Sequence, residues 1–174
     1  MHLNFAKQKP NKAIIIGENQ YQCCNFENET EKNYTKIILK VLIELTHEHG
    51  KIDAPIGRDS KDRQKMAVTE NNSKRAVTNF TVIERFTDMC LVECRLETGR
   101  THQIRVHLGY IGYPVYGDPK YGKRKDDQSH GQYLHAKILG FVHPTTNEYM
   151  EFDSDLPDYF ETKIEELEEE MEHE

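Results

Sequence analysis

Long apolar runs are missing from this sequence. Its longer apolar segments, such as Ala13–Ile16 and Ile37–Leu39, are far too short to cross a bilayer, which takes about 20 consecutive apolar residues. The N-terminal stretch MHLNFAKQKPNK also lacks the apolar region of a secretory signal peptide. We therefore expect a cytoplasmic protein without a membrane segment.

Cysteine is scarce, with four residues in a chain of 174. Cys23 and Cys24 are adjacent and do not have the spacing of metal ligands. Cys90 and Cys94 alternate with polar residues in a strand-like run, so we expect both to point inward as small apolar side chains. In a reducing compartment all four are expected to remain free thiols.

Signals for a metal or a cofactor are equally weak. His102 and His107 are five residues apart, a spacing that does not place two ligands on one helix face, so a zinc site is not expected. The glycines between Val115 and Gln132 match no P-loop or dinucleotide-binding fingerprint. The sequence therefore predicts neither a metal nor a cofactor.

The charges are unevenly distributed along the chain. The formal net charge is −7, but residues 151–174 hold twelve acidic residues and one lysine, whereas residues 51–137 hold sixteen Lys or Arg and eleven Asp or Glu. The basic middle is suited to contact with phosphates. The acidic end is expected to form a solvated helix rather than a site.

The length favours one domain with a tail, and the sequence pattern indicates an α+β fold, a mixed and mainly antiparallel sheet with a few helices. Alternating apolar and polar residues mark a hairpin over Arg75–Arg85 and Met89–Glu97. Gly50–Gly57 contains Pro55 and is predicted to be a connection. The other predicted strands are Ala13–Gly17, Lys36–Leu45, Met66–Val68, Tyr133–Val142 and Tyr149–Phe152, and the predicted helices are 101–110, capped by Thr98 or Thr101, and Asp158–Glu172.

Polar chemistry is concentrated at the start of the first predicted helix. Arg100 and Arg105 bracket His102 and Gln103 there. Backbone N–H groups at a helix start favour anions, and two guanidinium groups can bind a phosphate or hold a carboxylate in bidentate fashion. The alternative is an ordinary surface helix start with Arg105 extended into solvent.

Several separate motifs point to one protein family. They are the string LETGRTHQIRVHLGYIGYPVYGDPKYG at 96–122, KIDAPIGR at 51–58, AVT at 76–78 and LHA at 134–136, followed by Phe141, His143 and Pro144. In this order and spacing they resemble the RluA/RluD-type, or large-ribosomal-subunit, pseudouridine synthases over residues 50–155. The resemblance implies part of a catalytic domain that isomerises uridine to pseudouridine in ribosomal RNA. It also implies an aspartate nucleophile acting on a flipped-out base, without a cofactor or a metal.

The resemblance further implies roles for individual residues. A basic residue at the end of the His-Gln-Ile-Arg motif pairs with the nucleophilic carboxylate, and this role maps to Arg105. Leu134 maps to the apolar position that flanks the base, with plain strand core as its alternative, and Asp118 maps to a structural turn. The residues expected on the substrate side are Leu134, Arg100, His102, Gln103 and Tyr34, with His102 and Gln103 setting the loop geometry by hydrogen bonds.

The aspartate nucleophile is missing from the place where the resemblance puts it. No aspartate precedes Asp53, and the family spacing leads to the first ten residues, where Asn4 is the nearest counterpart. A neutral amide is a poor nucleophile beside a carboxylate. The base-stacking tyrosine is also missing from its expected place, because the spacing leads to Ile37 while Tyr34 lies three residues earlier. Either Tyr34 is a shifted counterpart or the residue has been lost.

These departures predict three segments and leave three hypotheses for function. The segments are a degenerate or truncated N-terminal part, residues 1–50, a pseudouridine-synthase-like core, residues 51–155, and an acidic C-terminal helix, residues 156–174. The first hypothesis is an isomerase that receives its carboxylate from another chain or from an unexpected residue. The second is an inactive RNA-binding or structural remnant. The third is a partner-dependent half-enzyme whose exposed sheet edge promotes self-association.

Overall fold

The computed structural model describes Ile14–Ile15 and residues 35–173, with side chains described from residue 40 to residue 173. Strands and two helices follow one another along this part of the chain without a βαβ repeat, as in an α+β fold. The strands are β1 (Ile14–Ile15), β2 (Thr35–Ile43), β3 (His49–Asp53), β4 (Ile56–Arg58), β5 (Met66–Val68), β6 (Val77–Arg85), β7 (Cys90–Leu96), β8 (Leu134–Val142) and β9 (Tyr149–Asp153), and the helices are α1 (Gln103–Tyr110) and α2 (Asp158–Glu172).

Seven strands form one sheet in the order β1-β3-β6-β7-β2-β8-β9, while β4 and β5 form a separate pair. All of these pairings are antiparallel. Strand β2 is interior, with Val41 opposite Val92 of β7 on one side and opposite Leu134 of β8 on the other. The predicted fold class is therefore confirmed. The division at residue 50 remains a prediction, although the chain before it contributes a central strand.

The two helices cover opposite faces of the sheet. Ile104 of α1 packs in a buried cluster with Val41, and Phe160 of α2 packs in a second cluster with Leu42. Adjacent residues of β2 enter different clusters because side chains alternate between the faces of a strand. Phe160 has no exposed surface, and burying a side chain of this size contributes about 1.5–3 kcal/mol. The acidic helix is thus held to the sheet by its apolar stripe.

Most predicted elements agree with the structure to within two residues at each end, and Met66–Val68 and Asp158–Glu172 agree throughout. The prediction that Gly50–Gly57 is a connection was wrong, since it contains most of β3 and the first two residues of β4. A Cβ on Gly50 would come within 2.6 Å of the Phe80 ring. This glycine therefore marks close packing inside a strand rather than a turn.

The described cysteines agree with the sequence prediction. Cys90 and Cys94 are buried free thiols, whereas Cys23 and Cys24 lie outside the described residues. Within the described part of the chain, neither helix is both long enough and apolar enough to cross a bilayer.

Candidate active site

The side chain of Gln103 joins the start of α1 to β6. Its Oε1 accepts hydrogen bonds from the hydroxyl of Thr98 at 2.8 Å and from the N–H of Arg100 at 3.0 Å. Its Nε2 donates to the Val77 carbonyl at 2.9 Å and to Thr78 Oγ1 at 3.1 Å. Gln103 is only 3% exposed. Because its buried donors and acceptors are all engaged, it fixes the helix start against the sheet.

The predicted threonine caps of α1 are not used. The N-cap residue is His102, whose backbone is left-handed with φ of 55° and whose side chain makes no capping hydrogen bond. The Thr98 hydroxyl instead accepts the N–H of Val77 at 2.8 Å and donates to Gln103. The capping prediction was wrong because this hydroxyl is committed to the junction with β6. A left-handed backbone at a residue with a side chain costs about 1–2 kcal/mol, so the surrounding contacts hold His102 in a strained geometry.

His102 is oriented by Tyr121. Its Nδ1 lies 3.0 Å from the phenolic oxygen, and the two rings meet edge to face with centroids 5.6 Å apart. The same oxygen accepts the N–H of Met66 at 2.9 Å, so its own proton is directed to a neutral imidazole. Burial lowers the pKa of His102, and the positive charges of Arg105 and Lys120 lower it further. The imidazole is therefore a hydrogen-bond acceptor at neutral pH.

Arg105 and Asp118 form a bidentate ion pair. Arg105 Nε donates to Asp118 Oδ2 at 2.7 Å, and Arg105 Nη2 donates to Oδ1 at 2.8 Å. Oδ1 also accepts the backbone N–H of Lys120 at 2.8 Å and that of Tyr121 at 3.0 Å. The Asp118 side chain has no exposed surface, and that of Arg105 is 14% exposed. Charge-assisted bonds of this geometry are short and directional.

This environment decides what Asp118 can do. Burial by itself would raise the pKa of Asp118, but the hydrogen bonds from Arg105 and from the N–H groups of Tyr121 and Lys120 bring it below its ordinary value of 3.8. The bond to Asp118 in turn raises the pKa of Arg105 against the effect of burial. Asp118 is therefore ionised, with both oxygens occupied, and it has no surface from which to attack a base. It is a support for Arg105, in keeping with its predicted place in a turn.

The other edge of the Arg105 guanidinium is the open part of this site. Asp118 uses Nε and Nη2, and the ring of Tyr121 lies with its centroid 5.1 Å from Cζ. Among residues 40–173, nothing forms a hydrogen bond with Nη1. A guanidinium has five N–H donors in a planar fork. Arg105 can therefore hold a second anion, either a carboxylate or a phosphate, while it stays fixed to Asp118.

His107 lies behind Arg105, further along α1, and is fully buried. Its Nε2 donates to the Ala54 carbonyl at 2.9 Å, so Nδ1 accepts the hydroxyl proton of Thr78 at 2.9 Å. Burial lowers the pKa of His107, against the opposite effect of the bond to Ala54. Sequence reasoning weighed His107 only as a metal ligand and missed this role. The available signal was the four-residue spacing from Gln103, which places both side chains on one helix face.

Positive charge flanks the Tyr121 ring. Lys65 Nζ lies 5.9 Å from the ring centroid, and Lys120 Nζ donates to the Gln64 carbonyl at 3.0 Å. Across the described ranges, no cluster of three or more His, Cys, Asp or Glu side chains has the geometry of a metal site. What gathers at this surface is cationic and suited to anions.

The structure brings most of the predicted residues together at the start of α1, but not all. Arg100 Nε donates to the Arg75 carbonyl at 2.9 Å, so its guanidinium is bound to the chain just before β6. Leu134 is partly buried and packs against the larger core cluster. Tyr34 and Asn4 lie outside the described residues. The substrate roles of Arg100, His102, Gln103 and Leu134 therefore remain predictions.

Comparison with known proteins identifies the family. The sequence model of the RNA pseudouridylate synthase family matches residues 18–110, more than half of the chain. This chain belongs to that family. An RNA pseudouridine synthase of Bacillus subtilis, YlyB, is 57% identical over 136 residues, which cover 78% of this chain and 44% of the relative. Ribosomal large subunit pseudouridine synthase D of Zymomonas mobilis is 45% identical over 117 residues, which cover 62% of this chain and 37% of the relative.

Solved structures agree with the assignment. This chain aligns with human RNA Pseudouridylate Synthase Domain Containing 1 at a TM-score of 0.63 and 28% identity, covering 71% of this chain and 55% of the human one. The predicted RluA/RluD-type resemblance is confirmed. The chain spans about half the length of the curated relatives it matches. Its family match also reaches into the segment before residue 50.

Proposed function

We propose that this chain carries the arginine-bearing side of an active site that isomerises uridine to pseudouridine in ribosomal RNA. Family membership supports the reaction class, and relatives named ribosomal large subunit pseudouridine synthase D support the ribosomal substrate. The observation that carries the proposal is the geometry of Arg105. One edge of its guanidinium is locked to Asp118, and the other has no partner among the described residues.

The chemistry explains why such an arginine is useful. A carboxylate acts as the nucleophile, the N1–C1′ bond of uridine breaks, and a C5–C1′ bond forms. The hydrogen on C5 leaves to solvent as a proton, and N1 gains a proton, so that the product is an isomer. A cation beside the nucleophile keeps it ionised and aimed. Arg105 supplies that cation without losing its support from Asp118.

In this proposal the nucleophile comes from outside the described residues. Asp118 is excluded because both of its oxygens are occupied and its side chain has no exposed surface. Residues 1–52 contain no aspartate. A second chain, or an undescribed residue of this one, therefore provides the carboxylate that meets Arg105. Leu134 flanks the extruded base, and His102, Gln103 and Arg100 hold the loop that presents Arg105.

The lack of aspartate before residue 53 specifically favours a second candidate, an inactive RNA-binding or structural remnant. The open edge of Arg105 would then contact a phosphate of RNA instead of a carboxylate. Binding of this kind weakens as salt rises, because counterions are released from the nucleic acid. Both candidates therefore use the cation of Arg105, but only the first isomerises uridine.

Release of tritium from ribosomal RNA labelled at uridine C5 separates the candidates. The native chain, Asn4→Asp and Arg105→Lys are compared, with Arg95→Lys as the matched control, because Arg95 is an exposed arginine that pairs with Glu93 on the sheet surface. We expect release that falls by on the order of a hundredfold in Arg105→Lys and is unchanged in Arg95→Lys. Circular dichroism confirms that each variant is folded.

Each result has a clear meaning. Release by the native chain shows that a carboxylate already present does the attack, and release by Asn4→Asp alone shows that the N-terminus reaches the site and lacks only the nucleophile. Salt-sensitive RNA binding without release in either protein, both alone and with a full-length relative whose own counterpart of Arg105 has been replaced added as the second chain, establishes the second candidate and overturns the first. An equal loss of tritium release in Arg95→Lys would contradict the role assigned to Arg105.

A further inference from the structure

Tyr121 contacts both partners of the ion pair between Arg105 and Asp118. Its backbone N–H donates to Asp118 Oδ1 at 3.0 Å, and its ring lies against the Arg105 guanidinium with the centroid 5.1 Å from Cζ. Arginine stacks readily on an aromatic ring, because its guanidinium is planar, cationic and weakly hydrated. Tyr121 therefore meets the carboxylate through its main chain and the cation through its side chain.

The ring of Tyr121 is itself held in place. Its phenolic oxygen accepts the N–H of Met66 at 2.9 Å and lies 3.0 Å from Nδ1 of His102. These bonds tie the ring to the first residue of β5 and to the residue just before α1. Tyr121 also packs against a small buried cluster made of Ile56, Ala76 and Val106. The ring is thus fixed between β5 and α1.

The turn that presents Tyr121 has little room to change. The N–H of Gly122 donates to the carbonyl of Asp118 at 2.9 Å, and a Cβ on Gly122 would collide with the same oxygen. Glycine permits such a close approach of two backbone segments. Since this turn begins at Asp118, the carboxylate and the ring that meet Arg105 come from one closely packed piece of backbone.

The two contacts restrict different motions of the guanidinium. The bidentate bond to Asp118 fixes one edge of the group and its direction. A flexible arginine side chain can still swing its plane about that edge. An aromatic ring against the face blocks this swing and keeps water from that side of the bond. Together the contacts leave the edge with Nη1 open and in one orientation.

We propose that Tyr121 is a positioning residue, whose ring holds the plane of the Arg105 guanidinium so that its open edge stays aimed at a second anion. For catalysis, this inference rests on the function proposed above. The phenolic hydroxyl is engaged by Met66 and His102, so the proposal assigns it no proton transfer with substrate. The alternative is that Tyr121 only fills space beside its buried cluster, in which case Asp118 alone holds Arg105.

Hydrogen exchange of the Arg105 Nε–H tests this role in the full chain without requiring activity. The signal is identified in heteronuclear NMR spectra as the arginine Nε–H signal that Arg105→Lys removes. Tyr121→Leu should speed its exchange about tenfold or more, because water then reaches the bond to Asp118. Tyr121→Met restores apolar bulk without a ring and should behave like Tyr121→Leu. Tyr121→Phe keeps the ring and should stay within about threefold of the native rate.

Tyr159→Leu is the matched control. Tyr159 is a partly buried tyrosine of α2 that packs in the cluster on the other face of the sheet. Its loss should lower stability in a similar way but leave the exchange of the Arg105 Nε–H unchanged. Circular dichroism shows that each variant folds.

Kinetics extend the test to any preparation that releases tritium. Tyr121→Leu should lower kcat about tenfold at unchanged KM, because the cation is misaimed while the contacts that bind RNA remain. The same substitution should have a much smaller effect in an Arg105→Lys background, since the group that the ring holds is already gone.

The outcomes separate this inference from the proposed function. Native exchange in Tyr121→Leu and Tyr121→Met, equal acceleration in Tyr159→Leu, or equal acceleration in Tyr121→Phe overturns the role of the ring. The expected exchange pattern supports that role even where no preparation releases tritium, and the proposed function alone then fails. Tritium release that Tyr121→Leu leaves unchanged, or full additivity with Arg105→Lys, overturns the inference and leaves the proposed function standing.

Discussion

Arg105 donates two hydrogen bonds to the carboxylate of Asp118, thirteen residues further along the chain. The pair joins α1 to the loop that follows it and determines where the guanidinium points. Because the Asp118 side chain is fully buried, its carboxylate cannot exchange Arg105 for bulk water. Stability and the geometry of the candidate active site therefore depend on the same contact.

Replacing Asp118 with asparagine should destabilise the fold strongly. Asp118→Asn keeps the shape of the side chain but leaves the Arg105 cation without its counter-charge, and breaking a buried pair in this way costs about 3–5 kcal/mol. The measurement is the free energy of unfolding in urea at neutral pH. Asp127→Asn is the control, because Asp127 is an exposed turn residue that bonds Ser129 and should change the midpoint little. Equal midpoints for the two variants would show that the ion pair contributes nothing.

His107 should make the fold sensitive to mild acid. Burial lowers its pKa from the ordinary 6.5, so the unfolded chain binds a proton at a pH where the folded chain does not. The contribution of His107 to the free energy of unfolding is then fully present above pH 6.5, and it is lost as the pH drops below that value. The loss linked to Asp118 starts only near its ordinary pKa of 3.8 and is separate. Urea midpoints between about pH 7.5 and about pH 4.5 measure this effect.

The variant His107→Gln isolates the histidine contribution. Glutamine can donate to the Ala54 carbonyl and accept from Thr78 without titrating, so the part of the loss below pH 6.5 that comes from His107 should disappear. The part linked to His102, whose pKa is also lowered, should remain. His130→Gln is the control, because His130 is exposed and stacks on Tyr159, and it should keep the native pH profile. An unchanged profile in His107→Gln would place the acid sensitivity elsewhere.

Local sequence pattern predicted the elements whose causes are local. The two-residue alternation around Cys90 and Cys94 predicted β7, and Pro157 before an amphipathic run predicted α2. The glycines at 50 and 57 led to a wrong prediction, because they allow close packing and do not form a turn. At Gly50 the closely packed neighbour is the ring of Phe80. The sequence alone does not distinguish a glycine in a turn from a glycine that allows close packing in a strand. Only the position of the neighbouring strand distinguishes the two.

The candidate site was predictable in its residue types but not in its pairings. The cluster of Arg100, His102, Gln103 and Arg105 is visible in the sequence. The bond between Arg105 and Asp118 depends on how the loop after α1 folds back, which no short-range spacing specifies. The threonine cap failed for the same reason, since Thr98 bonds to a strand residue twenty-one positions away.

The described cysteines should resist modification until the protein unfolds. Burial raises the pKa of the Cys94 thiol to about 12, and the reactive thiolate is then almost absent at neutral pH. Iodoacetamide followed by peptide mass mapping should leave Cys90 and Cys94 unlabelled in the native state and label both in urea. Ile83→Cys, at an exposed strand position, should be labelled readily in the native protein. Native-state labelling of Cys94 at a similar rate would contradict its buried placement.

An added methyl group at Gly117 should disturb the candidate site. Its φ is +70°, and a Cβ there would lie 2.5 Å from the carbonyl oxygen of Gly131 and 3.0 Å from that of Asp127. Gly117→Ala should therefore cost more than the roughly 1–2 kcal/mol of a left-handed backbone alone, and it should displace Asp118 from Arg105.

Gly109→Ala is the matched control, since it lies in α1 and a methyl group added there would meet no atom within 4 Å. That change should stabilise the fold by up to about 1 kcal/mol. Urea unfolding of both variants measures the contrast, and a destabilised Gly109→Ala beside a native-like Gly117→Ala would reverse the assignment.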